Sequence, residues 1–238
     1  LIAMSKCIFA SAQVVVYLGH VISAGEVRPL MSTAKAIEDF HTPTAVTEIR
    51  SFLGMVRFYG RFIPDLANRC EPLQKLTRKN VQYVWTEAAD EAFKDLKNAL
   101  MTEPVLIIPD PKLEFTVCVD ASGYGLGGTL MQDRGKGLQP CAYYSTRLKD
   151  NEMKYSVTDK EFMAVVRCLQ TWKYSLLSSS KVTYIWTDHK PLITFFTKKD
   201  LLPRQERYID FLSQFNLQIH HIPCLLYTSP SPRDPKIS

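Results

Sequence analysis

Three carboxylates offer the chemistry in this chain. Asp120 and Asp188 each close an apolar run, Val117-Cys118-Val119-Asp120 and Ile185-Trp186-Thr187-Asp188. Such a run reads as a strand with the acid at its carboxyl end, and open α/β sheets bind ligands beyond those ends. If the two strands are neighbours, the acids converge. A lone strand-end Asp also starts turns and caps helices, so neither residue decides the matter by itself. Glu161 has two readings. Thr158-Asp159-Lys160-Glu161 ahead of Phe162-Met163-Ala164-Val165-Val166 has the form of a capping box, which needs no catalysis. The same helix start, packed beside the strand ends, would add a third carboxylate to the cluster. Three acids there repel one another unless cations neutralise them. Oxygen-only donors suit Mg²⁺ or Mn²⁺ and two-metal phosphoryl chemistry. His189, directly after Asp188, has two readings, a proton shuttle or a structural strand-end histidine.

These groups need a sheet to hold them. From Pro104 onward, strands are expected over 115–120 (Phe115, Val117 and Val119 inward), 127–132, 139–145, 182–187 and 217–222, with helices over 158–177 and 204–215. A three-strand meander followed by helix, strand, helix, strand is an α/β arrangement. The glycines crowded between Gly123 and Gly137 supply the turn and second strand after Asp120. Upstream, 14–22 reads as a strand or hairpin with a turn at Gly25. Helices follow from Ser32 or Thr33 toward Pro43, from Thr44 toward Pro64, and from Thr86 to Pro104. In the second, Ile49, Phe52, Leu53 and Val56 form one apolar face. Arg50, Arg57 and Arg61 lie within about 40° of one another on a 3.6-residue helix, a basic stripe able to track phosphates or simply a solvated face.

Composition sets the bounds. The chain has 238 residues, 46% hydrophobic and 22% charged, with net charge +5, ordinary values for a globular protein that permit a nucleic-acid partner without demanding one. No apolar run is long enough to span a membrane, and the N-terminus lacks a signal-peptide layout. Six cysteines without a CxxC pair argue against a disulfide framework or zinc ribbon and fit a reducing compartment.

The order Asp120, Glu161, Asp188, set in VDASGYGLGGTL, AYYSTRL, YSVTDKEFMAVV and TDHKPLITFF, resembles the RNase H domain of gypsy-type LTR retrotransposon Pol polyproteins. Upstream, YLGHVIS, RSFLGMVRFYGRFIP and the Trp85-Thr86 helix ending DLKNAL resemble the end of the palm and the thumb of the same element's reverse transcriptase. The resemblance implies an α/β, RNase H-like mixed five-stranded sheet with flanking helices, preceded by a helical thumb. Residues 1–30 would be the end of the palm with a primer-contacting hairpin, 31–102 the thumb, 103–223 an RNase H domain lacking its last helix, and 224–238 a non-native, disordered tail. It further implies two Mg²⁺ ions, with Mn²⁺ as an alternative, held by Asp120, Glu161 and Asp188. The activity would be hydrolysis of the RNA strand of RNA–DNA hybrids, with Arg50, Arg57 and Arg61 as nucleic-acid contacts on the thumb. Partners would be the hybrid, the template–primer duplex and the rest of the Pol polyprotein, within a cytoplasmic retrotransposon particle.

The pattern also departs from the family. No Asp-Asp pair exists in the chain, so DNA synthesis is not assigned to it. The fourth carboxylate, expected in a helix after a Pro-Gly, is missing: Cys224 follows Pro223, and Asp234 lies between prolines. Two other readings therefore stand beside the nuclease: a catalytically dead fragment that only binds nucleic acid, and a decayed relic.

Overall fold

The structure, a computed structural model, describes residues 14–102, 105–195 and 203–222. The tail assignment beyond 222 and Pro104 lie outside the described residues. Three short antiparallel strands open the chain: β1 (Val15–Tyr17), β2 (His20–Ser23) and β3 (Glu26–Pro29). The turns Leu18-Gly19 and Ala24-Gly25 have positive φ at both residues, the pattern that matches the twist of a two-residue hairpin. β4 (Leu106–Ile107) completes this sheet beside β3, so a segment that the sequence reading placed in the second unit closes the first.

Helices occupy the chain between β3 and β4. α1 (Met31–Glu38) begins two or three residues earlier than expected, on Leu30 without a side-chain cap. α2 (Val46–Phe58) buries Ile49, Phe52, Leu53 and Val56. Its start is braced by Glu48, which accepts from the Thr44 N–H at 2.7 Å and the Thr44 hydroxyl at 3.1 Å. The short helices α3 (Leu66–Arg69) and α4 (Glu71–Lys75) carry too little periodicity to be read from sequence. α5 (Glu87–Met101) is capped as expected by Thr86, which accepts from the Ala89 N–H at 3.3 Å. Phe52, Phe93, Leu96 and Leu73 close one core among these helices.

The second sheet has the order β7-β6-β5-β8-β9, built from β5 (Phe115–Ala121), β6 (Gly125–Asp133), β7 (Leu138–Arg147), β8 (Thr183–Thr187) and β9 (Leu217–His221). β5, β6 and β7 form the expected antiparallel meander, while β5–β8 and β8–β9 are parallel. β5 is buried on both faces: Thr116 and Cys118 are covered as well as Phe115, Val117 and Val119, as suits a strand shared by parallel and antiparallel neighbours. One face packs on α6 (Val157–Thr171). Gly128 sits directly beneath that helix, where a Cβ would collide with Cys168 Sγ. The helix expected to run to 177 breaks at Trp172, continuing as α7 (Lys173–Leu177). α8 (Pro191–Phe195), unanticipated, precedes α9 (Pro203–Leu212).

The helical region docks on this sheet through α3. The Ala67 N–H donates to Ser145 Oγ at 2.8 Å, and Ser122 Oγ donates to Asn68 Oδ1 at 3.0 Å. Gly125 lets the two approach, since a Cβ there would lie 3.1 Å from Ala67 Cβ.

Candidate active site

The register Cys118↔Trp186 in the parallel pair puts Asp120 and Asp188 two residues further along, at the carboxyl ends of two neighbouring interior strands. Glu161 reaches them from the second turn of α6. Ligand oxygens of the three lie within 4.8 Å of one another. The convergence that strand ends alone left open is thus achieved by strand adjacency.

The capping reading of Glu161 is overturned. The cap of α6 is Ser156, whose Oγ accepts from the Asp159 N–H at 3.1 Å and donates to Asp159 Oδ2 at 2.9 Å. Ser156-Val157-Thr158-Asp159 and Thr158-Asp159-Lys160-Glu161 are overlapping candidate boxes, and the helix uses the earlier one. Glu161 is therefore released from the helix start. It is 4% exposed, and its Oε2 has no hydrogen-bond partner among the described residues. Thr158, freed from capping, bonds His189 Nε2 at 2.9 Å, so that ring is tied to α6.

Electrostatics in the cluster follow from this packing. Burial, then the charges of Asp120 and Asp188, push the Glu161 carboxyl up to about 8, against a backbone hydrogen bond from Ala121 that acts in the opposite sense. Asp120 is open to solvent on one side, yet desolvation of its carboxyl raises it too, with Asp188 as the second cause. Without cations the Glu161 carboxyl therefore keeps its proton near neutral pH.

A cavity of about 340 Å³ opens over Asp120 and Asp188, walled by Cys118, Thr129, Tyr143 and Trp186 of the sheet and by Pro64, Asp65 and Asn68 of the helical region. Asp65, in a left-handed backbone conformation at φ 51°, is raised by burial and, to a smaller extent, by Asp120. Sequence reasoning missed Asp65 and Asn68, because nothing local in 64–68 announces a contact with a strand end far along the chain. Of the predicted basic stripe, Arg50 Nη2 donates to the Thr77 carbonyl at 3.3 Å. Arg57 is on α2, whereas Arg61 lies beyond its end in the 3-10 turn Gly60–Phe62, and these two line a second cavity without Arg50. Cys70, Cys118, Cys141 and Cys168 are buried; burial pushes the Cys70 thiol up to about 11 and Cys141 up to about 12. Cys7 and Cys224 lie outside the described residues.

Residues 85–184, a span that holds Asp120 and Glu161 and ends just short of Asp188, match the RNase H-like domain found in reverse transcriptase. The Retrovirus-related Pol polyprotein from transposon 297 of Drosophila melanogaster is 31% identical over 221 residues, covering 92% of this chain and 20% of that protein. The Transposon Tf2-3 polyprotein of Schizosaccharomyces pombe is 31% identical over 226 residues, covering 94% of this chain and 17% of that one. This chain belongs to the retrotransposon Pol polyproteins. The Pol segment spans about a fifth of the length of the curated relatives it matches. Its fold, RNase H-like in the second sheet, is shared with the foamy viral protease-reverse transcriptase solved in complex with RNA/DNA hybrid, at TM-score 0.68 and 19% identity, covering 94% of this chain and 32% of that one. Among the described residues of the Pol segment, no helix is long and apolar enough to cross a membrane.

Proposed function

We propose that this Pol segment carries the RNase H module of a reverse transcriptase, cleaving the RNA strand of RNA–DNA hybrids at Asp120, Glu161 and Asp188. The observation that carries the reading is Glu161, a buried carboxylate with a partnerless oxygen aimed among two strand-end acids. A cap or structural ion pair would leave no such orphan, and a buried unpaired acid is costly to keep. An all-oxygen donor set of this kind fits Mg²⁺, or Mn²⁺, and Asp120, Glu161 and Asp188 would hold two such ions. When bound, the ions would activate water and neutralise charge on the departing 3′ oxygen.

The protein's own contribution is position and charge. β5 and β8 fix the two aspartates by their register, and α6 fixes Glu161 against β5. Loss of the Glu161 proton readies the site for cations. Selection of a hybrid follows from shape, because an A-form minor groove is wide, shallow and lined by 2′-hydroxyls on the RNA strand only. The helical region acts as the thumb, with Arg50, Arg57 and Arg61 contacting template–primer phosphates and the strands 15–29 belonging to the end of the palm. The foamy viral relative of this fold was solved on an RNA/DNA hybrid, which supports a partner of that class. The whole is set in a cytoplasmic retrotransposon particle with the rest of the polyprotein.

The test is cleavage of a hybrid labelled separately on each strand. RNA-strand cleavage that needs Mg²⁺ and disappears in Asp120→Asn is expected; a hybrid bound but left uncut, or cut equally by Asp120→Asn, overturns the assignment.

A further inference from the structure

Helix α3 separates two cavities of opposite character. Asp65 and Asn68 on its flank face the carboxylate cavity, while Leu66 and Ala67 line a second one, of about 480 Å³, between the helical region and β7. Arg57, Arg61 and, from β7, Arg147 line this second cavity, and among the described residues no acid does. Tyr143 borders both cavities, so they adjoin.

The guanidinium groups there are largely unspent. Arg69 and Arg167, elsewhere on the surface, are paired with Asp95 at 2.6 Å and Glu152 at 2.5 Å. The Arg57 guanidinium, by contrast, makes no hydrogen bond or ion pair among the described residues. Among the described residues the Arg61 guanidinium makes only a cation–π contact, its carbon 5.8 Å from the centroid of Phe62. Arg61 is exposed as a residue, but its charged end is desolvated enough for burial to lower its pKa. Arg147 pairs through Nη2 with Asp150 at 3.2 Å, an acid 93% exposed, and stacks on Tyr124 at 5.4 Å. Its Nε is buried without a partner among the described residues. Three like charges around one cavity repel, and a bound anion relieves the repulsion. Guanidinium is suited to phosphodiester oxygens because its donors form a planar fork.

We propose that this cleft binds the phosphodiester backbone of a nucleic-acid strand, with Arg147 of the second sheet completing a site that Arg57 and Arg61 begin on the helical region. The site would hold a strand across both units, directly beside the carboxylate cluster. This rests on the reading of the segment as a nucleic-acid enzyme but not on its hydrolytic step.

Binding of a fluorescent RNA–DNA hybrid, followed by anisotropy in chelator across a salt series, tests it without any cleavage. Each phosphate contact contributes roughly 0.9 to the slope of log K against log salt in duplex DNA. Arg147→Ala is expected to reduce the slope by about 1, and combining it with Arg57→Ala and Arg61→Ala by about 3. Arg147→Lys should keep most of the slope, which also serves if the alanine variant melts early. Lys136→Ala, an exposed cation outside the cleft, should change nothing. An unchanged slope in both Arg147→Ala and Arg147→Lys, with the double Arg57→Ala, Arg61→Ala variant still lowering it, would confine binding to the helical region and overturn the shared site. Displacement of the hybrid by millimolar inorganic phosphate at matched ionic strength would mark a small-anion pocket and overturn it too. Failure of hydrolysis with the slopes as expected would sink the nuclease reading and leave this one standing.

Discussion

Glu161→Gln, studied in the presence of chelator, isolates what the cluster does to the fold. The Glu161 carboxyl sits at about 8, against an ordinary value of 4.5. An acid with a raised folded pKa binds more protons folded than unfolded, so its contribution to stability falls as pH rises from 4.5 through 8, the reverse of a salt-bridged carboxylate. At about 1.4 kcal/mol per pKa unit, the cost reaches about 3 kcal/mol at pH 7 and about 5 kcal/mol at pH 9, and is below about 1 kcal/mol at pH 5. Gln keeps the shape of the protonated acid and cannot ionise. Urea unfolding of both proteins at pH 5, 7 and 9 should therefore show the variant gaining on wild type by about 4 kcal/mol between pH 5 and 9. Adding Mg²⁺ should restore wild type at high pH and leave the variant where it was. A stability difference independent of pH, or one that moves in favour of wild type as pH rises without cations, would refute the picture of a buried carboxyl repelled by its neighbours.

Three further expectations concern the scaffold. Gly128→Ala drives a methyl into Cys168 Sγ beneath α6 and should cost about 2 kcal/mol by chemical denaturation, with Cys168→Ala in the same chain recovering part of the loss. Arg167→Ala leaves Glu152, 7% exposed, without its cation, and a loss of about 3 kcal/mol is expected in the same assay. Ser145→Ala orphans the Ala67 N–H at the seam between the helical region and β7, and should lower stability by about 1 kcal/mol while speeding proteolysis of α3.

Local signals were enough for part of this architecture. Asp120 and Asp188 announce themselves by ending apolar runs, and the meander with its later strands follows from alternation and glycine punctuation, because sheet pairing repeats on a two-residue period. Thr86 marks the start of α5 for an equally local reason. Glu161 was ambiguous: two capping boxes overlap in Ser156–Glu161, and only packing against β5 decides which hydroxyl turns to the helix. The apparent stripe of Arg50, Arg57 and Arg61 presumed an unbroken helix, but α2 ends at Phe58 and Arg50 turns to Thr77. Asp65, Asn68 and Arg147 were illegible, since their roles depend on the docking of α3 on β6 and β7, between segments distant in sequence. The same holds for β4, two residues whose strand character exists only through pairing with β3.

Calorimetric titration of Mn²⁺ into the protein at pH 7, repeated in two buffers of different ionisation enthalpy, puts the central claim to the most direct test. A carboxyl at about 8 is about nine-tenths protonated at pH 7, so cations entering the cluster must expel about 0.9 proton. Release of that proton in wild type, lost in Glu161→Gln together with most of the affinity, is the predicted result. Cation binding with no proton release, or binding that survives Glu161→Gln unchanged, would mean that Asp120, Glu161 and Asp188 are not the cation site.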